Sequence, residues 1–399
     1  MTPPRELATA IEDFREPPPQ PRFLRLDLLL LVASVGLIGC SIYTLSTATL
    51  DDVPGDPYFY VIRQSIYAAV GITLMLLIPR FDYSRLRELK VGIYGVLISS
   101  ILLVYAVGAA ARGSKRWIEL PFFRFQPSEL GKVLLIVALS AFAIDRVRRL
   151  SEREQTSRLV LLALVPAMLV IAQPDLGSGL VYLVIVLAVL FVAGTRWTHF
   201  AALGGLAVAA TALTLVAAPA VGVQVLEDYQ KDRLTAFLSP SSDPQSQGYQ
   251  LRQSITAIGS GQKTGRGTEE ATQTRLNFLP EHHTDFVFSV VGEEFGFMGA
   301  AFVLSLYALL IWRCLRILTL SKNLYGALLA GGVTAMLMFQ VFVNVGMTIG
   351  IMPITGIPLP LMSYGGSSVL VTLLAIGLLQ SVHAQAREVQ AAKSRELLA

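Results

Sequence analysis

One acidic residue lies at the boundary between a long polar segment and an apolar run. Asp285 follows the polar sequence EHHT and precedes the apolar sequence FVF. A carboxylate at a boundary between water and hydrocarbon is partly desolvated, which makes it a stronger proton acceptor. The same side chain could instead cap the helix that follows, because aspartate accepts hydrogen bonds from first-turn amides. Asp285 is therefore a candidate catalytic base, with helix capping as the alternative.

Two further carboxylates follow Asp285 along the same apolar stretch. Glu293 and Glu294 come eight and nine residues later, which is about 12 to 13 Å along a helix that rises 1.5 Å per residue. A carboxylate inside a membrane segment is costly and usually functional. Glu293 is therefore a candidate for substrate binding, and an ion pair with a neighbouring helix is the alternative.

A group of cations and one aromatic residue could bind a phosphorylated sugar. Lys115 and Arg116 precede Trp117. Two cations neutralise a diphosphate, and an indole offers a flat apolar face to a sugar ring. The alternative is that Trp117 anchors the chain at a membrane interface beside snorkelling cations. Arg63, at the end of another apolar segment, has the same two interpretations.

The sequence QPSELGK places opposite charges one helical turn apart. Pro127 is suited to a first helical turn, and Glu129 and Lys132 are three residues apart, so their side chains can pair. Both are candidate substrate-binding residues. His282 and His283 are adjacent and lack the spacing of a closed metal cage, so the sequence assigns no metal ligand.

The remaining composition indicates what positions these residues. The 399 residues are 53% hydrophobic and only 15% charged, with a mean hydropathy of +0.59. Such a chain is too apolar for a soluble domain, and a net charge of +4 gives no reason to expect a nucleic acid partner. The sequence predicts an all-α, polytopic membrane protein with about ten transmembrane helices. Their windows are 26–48, 60–80, 90–110, 127–145, 158–173, 176–194, 199–219, 286–312, 325–350 and 365–385.

The distribution of basic residues predicts the orientation in the membrane. Arginine and lysine are frequent in alternate short loops, which places those loops and both termini in the cytoplasm. Residues 1–25 are predicted to be a disordered cytoplasmic tail, 26–385 the transmembrane domain, and 386–399 a second tail. Residues 220–285 form a long loop on the opposite, extracytoplasmic side. Cations there, among them Arg275, suggest an anionic ligand, and the Pro- and Gly-rich connection that contains Ser363 is expected to line the same cavity.

Several motifs, in this order, resemble the SEDS family (shape, elongation, division and sporulation) of bacterial cell-wall proteins. They are GSKRWIEL, FQPSELGK, QPDLGSGLV, GYQLRQSITAIGSG, TQTRLNFLPEHHTDFVFSVVGEEFG and NVGMTIGIMPITGIPLPLMSYGGSS. The match runs from about Tyr60 to Leu379, and the last motif is more similar to the elongation branch, RodA, than to the division branch, FtsW.

The resemblance implies a peptidoglycan glycosyltransferase that polymerises lipid II at the outer face of the bacterial cytoplasmic membrane. It implies that Asp285 is the essential residue. A partner is also implied, a class B penicillin-binding protein that acts as the transpeptidase of the elongation machinery. The substrates would be lipid II and a glycan linked to undecaprenyl diphosphate, and a divalent cation, Mg²⁺ or Mn²⁺, is plausible for a diphosphate leaving group. The rival functions are a lipid II flippase, which would use the intramembrane charges as a path, and a scaffold without catalytic activity.

Overall fold

The structure is a computed structural model, and it describes residues 26–111, 114–120, 123–145, 151–217, 237, 247–276 and 278–396. The predicted N-terminal tail and residues 218–236 and 238–246 of the predicted long loop lie outside the described residues. The helices are α1 (Leu28–Ala48), α2 (Phe59–Leu77), α3 (Lys90–Val107), α4 (Pro127–Asp145), α5 (Glu152–Ile171), α6 (Leu176–Val192), α7 (Trp197–Ala212), α8 (Gln247–Gly261), α9 (Gly267–Glu270), α10 (Thr272–Arg275), α11 (Val287–Leu320), α12 (Leu324–Thr348) and α13 (Gly366–Glu396).

The prediction of about ten transmembrane helices is confirmed within the described residues. Nine helices are long and apolar enough to cross a membrane, and α6, with 17 residues, is a shorter apolar helix. Several helix ends differ from the predicted windows; α11, for example, ends at Leu320 and not at 312. Helix α5 begins at Glu152, before the predicted start at 158, because Ser151 and Glu154 form a reciprocal capping box. Helix α13 continues to Glu396, into the segment predicted to be a tail.

The helices divide into a buried centre and an exposed periphery. The span in α13 is 89% buried inside the protein and that in α4 is 78% buried, whereas the span that contains α7 is 0% buried. Helix α13 packs on α2, and α12 packs on α4, α6 and α11. The candidate residues of α4 and of the segment before α13 are therefore set in the best-packed part of the protein.

Helix α11 contains a break next to the predicted acidic pair. Gly296 has φ +63°, which disfavours any residue with a side chain. The amides of Phe297 and Met298 donate to the carbonyls of Gln262 and Lys263, which follow α8. Glycine thus permits a local break whose main-chain groups are satisfied by the turn after α8.

Three short strands, which the sequence did not predict, connect α3 to α4. They are β1 (Ala109–Ala111), β2 (Ser114–Leu120) and β3 (Phe123–Phe125), and they form an antiparallel sheet in the order β1, β2, β3. Ala109 pairs with Trp117, and Ile118 pairs with Phe125. The sheet places the candidate cations of β2 beside the start of α4.

The connections at one end of the bundle carry most of the candidate residues, and we call this the site end. It comprises the α1–α2 loop, the three strands, the α5–α6 turn, the residues before α11 and the α12–α13 connection. Side-chain hydrogen bonds join the strands to the α5–α6 turn and the α12–α13 connection to the residues before α11. The predicted site is therefore assembled from segments far apart in sequence.

Candidate functional site

Asp285 lies in a tight turn, residues 279–286, which we call the Asp285 turn. The carbonyl of Glu281 accepts hydrogen bonds from the amides of Thr284, Asp285 and Phe286 at 3.1, 3.1 and 3.3 Å. Glu281 itself has φ +56°. Helix α11 begins after Phe286 and has no side-chain N-cap. The N-cap position of α11 is thus Phe286, one residue after Asp285. The Asp285 side chain is half-buried at the site end.

Side chains and amides from other segments hold this turn by its main chain. The Ser363 hydroxyl donates to the carbonyl of Thr284 at 2.5 Å. The amide of Tyr364 donates to the carbonyl of His283 at 2.9 Å. The Asn344 side chain in α12 donates to the carbonyl of Asp285 at 3.0 Å. Three successive carbonyls of the turn are thus fixed from outside it.

The segment that fixes the turn is itself anchored to α1 and α2. Gln64 in α2 donates to the carbonyl of Ser363 at 3.2 Å and to the Ser41 hydroxyl at 3.1 Å. Ser41 in α1 donates to the carbonyl of Met362 at 2.7 Å. Ser41, Gln64, Asn344 and Ser363 are all buried. Since a buried hydrogen bond is costly to break, this arrangement pre-organises the backbone around Asp285.

Aromatic rings and one cation lie against the same turn. The Tyr60 ring is 4.6 Å from the His283 ring and 4.8 Å from the Tyr364 ring, measured between centroids. Burial raises the pKa of Tyr364 to about 12, and Arg63, which hydrogen-bonds to it, acts in the opposite direction. The guanidinium of Arg63 also stacks on Phe59 at 4.0 Å. Arg63 is exposed, so it is a cation next to the turn that can reach a ligand.

The carboxylate of Asp175 organises a second group of polar residues, which we call the Asp175 network. One of its oxygens accepts from the Ser178 amide at 3.1 Å, and so caps α6. The other accepts from the Gln126 side chain and the Ser128 hydroxyl, each at 3.1 Å. The indole of Trp117 donates to Gln126 at 3.1 Å. The predicted sugar-binding tryptophan is therefore tied into a side-chain network at the base of the sheet.

Arg116 is bound to the α5–α6 turn. Its guanidinium donates to the carbonyls of Gln173, at 3.2 Å, and Pro174. The side chain of Lys115 lies outside the described residues, although its backbone pairs with Ala110 in the sheet. The predicted diphosphate role of these two cations stays a prediction, and part of the hydrogen-bonding capacity of Arg116 is already used by the protein.

Glu129 and Lys132 form a buried ion pair in α4. Lys132 Nζ lies 2.5 Å from Glu129 Oε1. Lys132 is only 1% exposed and Glu129 only 4%. The preceding turn of α4 is fixed by the Tyr182 hydroxyl, which donates to the carbonyl of Ser128. The pairing predicted from the sequence is present. Its substrate-binding role stays a prediction, since the pair lies in the packed core.

The short helix α10 contains Arg275 and is hydrogen-bonded to Glu293 of α11. Glu293 is fully buried and accepts hydrogen bonds from the amides of Gln273 and Thr274 and from the Thr274 hydroxyl, at 2.9, 3.0 and 2.7 Å. It therefore anchors α10 to α11. Arg275 lies at the end of α10, exposed, and donates to the carbonyl of Glu269 at 3.3 Å. Glu294 accepts instead from Thr47 in α1 at 2.7 Å.

A third acidic residue contacts the histidines before Asp285. Asp52 Oδ2, in the α1–α2 loop, is 3.1 Å from His282 Nε2 and 3.7 Å from His283 Nδ1. Burial lowers the pKa of His282, but the Asp52 carboxylate and the Leu279 and Ala48 carbonyls raise it overall. The acidity of the α1–α2 loop is visible in the sequence, but the contact of Asp52 with the histidines depends on tertiary folding.

Four of the predicted site residues lie in one or the other of two groups, the Asp285 turn and the Asp175 network. Ser363 and Arg63 lie at the Asp285 turn, whereas Arg116 and Trp117 lie at the Asp175 network. One short segment joins the groups, because the Ser367 hydroxyl accepts from the amide of Gln126 and donates to the carbonyl of Arg124, both at 2.9 Å. A cavity of about 530 Å³ beside Tyr94 and Arg158, between α3 and α5, touches none of the predicted site residues.

Comparison with known sequences supports the resemblance of the motifs. The model of the cell cycle protein family FtsW/RodA/SpoVE matches residues 23–388. Peptidoglycan glycosyltransferase MrdB of Escherichia coli K12 is 35% identical over 362 residues, which cover 90% of this chain and 94% of that protein. Stage V sporulation protein E of Bacillus subtilis 168 is 34% identical, over 92% of this chain and 98% of that protein.

Solved structures share the fold. Rod shape determining protein RodA of Thermus thermophilus is 30% identical, with a TM-score of 0.66, over 91% of this chain and 98% of that chain. A chain of a peptidoglycan synthase complex, described as coordinating polymerization and crosslinking, is 33% identical, with a TM-score of 0.75, over 90% of this chain and 98% of that chain. The likeness therefore extends over nearly the whole of each protein.

Proposed function

Because this chain belongs to the FtsW/RodA/SpoVE family of cell cycle proteins and is a peptidoglycan glycosyltransferase, we propose that it polymerises lipid II with Asp285 as the general base. The observation that carries the assignment of Asp285 is the fixation of its turn. Donors from two other segments, α12 and the α12–α13 connection, bind the carbonyls of residues 283–285, while the Asp285 side chain remains half-buried at the site end. A base held in this way loses little freedom when substrate binds.

In the proposed reaction, Asp285 takes the proton from the 4-hydroxyl of the GlcNAc of lipid II. The hydroxyl oxygen attacks the anomeric carbon of the lipid-linked glycan, and the bond from that carbon to undecaprenyl diphosphate breaks. The diphosphate leaves with the bonding electron pair, and the configuration inverts to give a β-1,4 link. General-base assistance of this kind is worth about 10² to 10⁴ in rate.

Cations at the site end would stabilise the departing diphosphate. Arg63 is the first candidate, because it adjoins Tyr364, whose amide holds the Asp285 turn. Arg275 and Lys115 are further candidates. A Mg²⁺ ion would neutralise the same charge, but it prefers oxygen ligands. The potential metal cluster among the described residues contains two histidines, so no step is assigned to Mg²⁺.

We place the site end at the outer face of the bacterial cytoplasmic membrane, with both termini in the cytoplasm. Arginine and lysine are concentrated in the loops at the opposite end, and such loops stay in the cytoplasm. The proposed partner is a class B penicillin-binding protein that crosslinks the product, by analogy with the peptidoglycan synthase complex of similar fold. A role in cell elongation is part of the proposal, supported by the similarity to the rod shape determining protein RodA of Thermus thermophilus.

Reconstitution with lipid II separates glycosyl transfer from transport. The purified protein and its partner transpeptidase, in proteoliposomes with lipid II, should produce glycan strands detectable on gels. The Asp285→Asn variant should produce none, while the exposed control Asp56→Asn should polymerise normally. Movement of lipid II between leaflets without any glycan product would favour the flippase, and full activity of Asp285→Asn would reject the base assignment.

A further inference from the structure

Three potential metal ligands from two segments converge beside the Asp285 turn. The ligand atoms of Asp52, His282 and His283 all lie within 4.8 Å of one another. The side chains of Asp52 and His282 are 10% and 5% exposed, and that of His283 is 19% exposed. Within the described residues, this is the one group of three such side chains. The cluster is distinct from Asp285 and takes no part in the proposed reaction.

The tautomer of His282 leaves a lone pair directed at the cluster. Its Nδ1 is 3.1 Å from the carbonyl of Leu279, so Nδ1 carries the hydrogen in the neutral ring. The Nε2 atom then faces Asp52 Oδ2, which is also an acceptor, at 3.1 Å. Asp52 Oδ2 and His282 Nε2 are both buried, and neither atom has a partner in the geometry of a hydrogen bond. A cation between them would satisfy both, and a carbonyl behind the ring is the usual support for a metal-binding histidine.

The distances around Asp52 Oδ2 are compatible with a metal site. In a tetrahedral Zn²⁺ site with bonds of about 2.0 Å, neighbouring ligand atoms are about 3.3 Å apart. The two imidazole nitrogens lie 3.1 and 3.7 Å from the same Asp52 oxygen. The rings are nearly perpendicular, at 82°, so they approach that oxygen from different directions. Adjacent histidines can converge here because the turn that starts at Glu281, with φ +56°, reverses the chain.

We propose that Asp52, His282 and His283 bind one transition-metal ion, with Zn²⁺ favoured, and that this ion fastens the α1–α2 loop to the Asp285 turn. Two imidazoles and one carboxylate select Zn²⁺ or a neighbouring first-row ion over Mg²⁺ or Ca²⁺. A water molecule would complete a four-coordinate site. The role is structural, since the ion would join the α1–α2 loop to the Asp285 turn.

Metal content of the purified full-length protein tests this site directly. The protein is stripped with a chelator, dialysed against buffered Zn²⁺ and analysed by inductively coupled plasma mass spectrometry. Wild type should retain close to one Zn²⁺ per chain, and Zn²⁺ should raise its midpoint of thermal unfolding. Asp52→Asn and His282→Gln should each lower the Zn²⁺ affinity at least about tenfold. The matched control is Asp51→Asn, since Asp51 is the exposed neighbour of Asp52, and it should bind as wild type does.

A variant that replaces one metal ligand with another distinguishes loss of the metal site from misfolding. His282→Cys keeps a ligand at this position, so its Co²⁺ form should gain a sulfur-to-metal charge-transfer band that wild type lacks. Equal Zn²⁺ content in wild type and Asp52→Asn would overturn the proposal. So would a wild type that binds no Zn²⁺ while Asp52→Asn unfolds at lower temperature, because that result describes a buried histidine–aspartate ion pair.

Discussion

The Asp285 turn and the Asp175 network use carboxylates in opposite ways. Both lie at the site end, and the segment with Ser363 and Ser367 joins them. Asp175 is 6% exposed and divides its two oxygens among a helix amide, an amide side chain and a hydroxyl. The Asp285 turn is held through its main-chain carbonyls instead. The Asp175 side chain stabilises neighbouring segments, whereas neighbouring segments fix the backbone that carries Asp285.

This difference indicates where catalysis and stability can be separated. Replacement of a side chain that caps a helix and accepts buried hydrogen bonds costs folding free energy. The hydrogen bonds to the carbonyls of the Asp285 turn remain when the Asp285 side chain is replaced, so an effect on activity per folded molecule there reports on chemistry. The substitutions Asp285→Asn and Asp175→Asn therefore test this difference most directly.

The largest effect is expected from Asp285→Asn. The amide cannot accept the proton of the sugar hydroxyl, so the rate of lipid II polymerisation should fall at least about 100-fold. The free energy of unfolding should change by about 1 kcal/mol or less, because the bonds from Asn344 and Ser363 go to main-chain carbonyls that the substitution retains. Glycan yield checks the predicted rate and thermal unfolding checks the predicted stability, both measured on the same preparation. A large loss of stability would remove the contrast with Asp175.

Asp175→Asn should show the reverse pattern. The amide presents N–H groups to Gln126 and Ser128, which now donate to the carboxylate, so the folded state should lose about 1.5 to 3 kcal/mol. Polymerisation per folded molecule should stay within a few-fold of wild type. The midpoint of thermal unfolding checks the first statement, and a rate normalised to folded protein checks the second. An unchanged midpoint would show that the network does not support the fold.

The helices that carry these residues could be predicted from sequence, but the bonds between them could not. Hydropathy located α4 and α11, and the spacing of Glu129 and Lys132 predicted their ion pair. Local periodicity has no information on which distant side chain meets a given carbonyl. Hence the partners of the Asp285 turn, Asn344 and Ser363, were not predicted as its supports.

The three-stranded sheet and the hydrogen bonds of Glu293 could not be predicted from the sequence, for related reasons. Strands of three to seven residues are too short to show a reliable alternation, and the sequence between α3 and α4 was interpreted only through its charges. Glu293 was expected to bind substrate or to pair with another helix, because its sequence position indicated an intramembrane charge. In the structure its oxygens are bonded to α10, which the helix break at Gly296 and the turn after α8 bring alongside. Such a contact depends on tertiary folding.

Two serines with the same bonding pattern offer a finer comparison. Ser363 accepts from the amide of Leu359 and donates to the carbonyl of Thr284, while Ser367 accepts from Gln126 and donates to Arg124. Ser363→Ala and Ser367→Ala should each cost about 1 to 2 kcal/mol, because each leaves an amide and a carbonyl unsatisfied. Only Ser363→Ala should also lower the polymerisation rate of the folded protein, since only Ser363 contacts the Asp285 turn. Equal rates for the two variants would show that this contact does not position Asp285.

The smallest effect is expected at Trp117, where two substitutions separate structure from sugar binding. Trp117→Phe keeps a flat apolar ring but removes the N–H that donates to Gln126, so it should cost about 1 kcal/mol of stability or less. Trp117→Ala removes the ring as well. If the ring binds a sugar, KM for lipid II should rise for Trp117→Ala and stay near wild type for Trp117→Phe. If Trp117 serves only the Asp175 network, KM should be unchanged in both, because the Asp285 turn makes its bonds elsewhere. Steady-state polymerisation at varied lipid II concentration therefore decides whether this side of the site end contacts substrate.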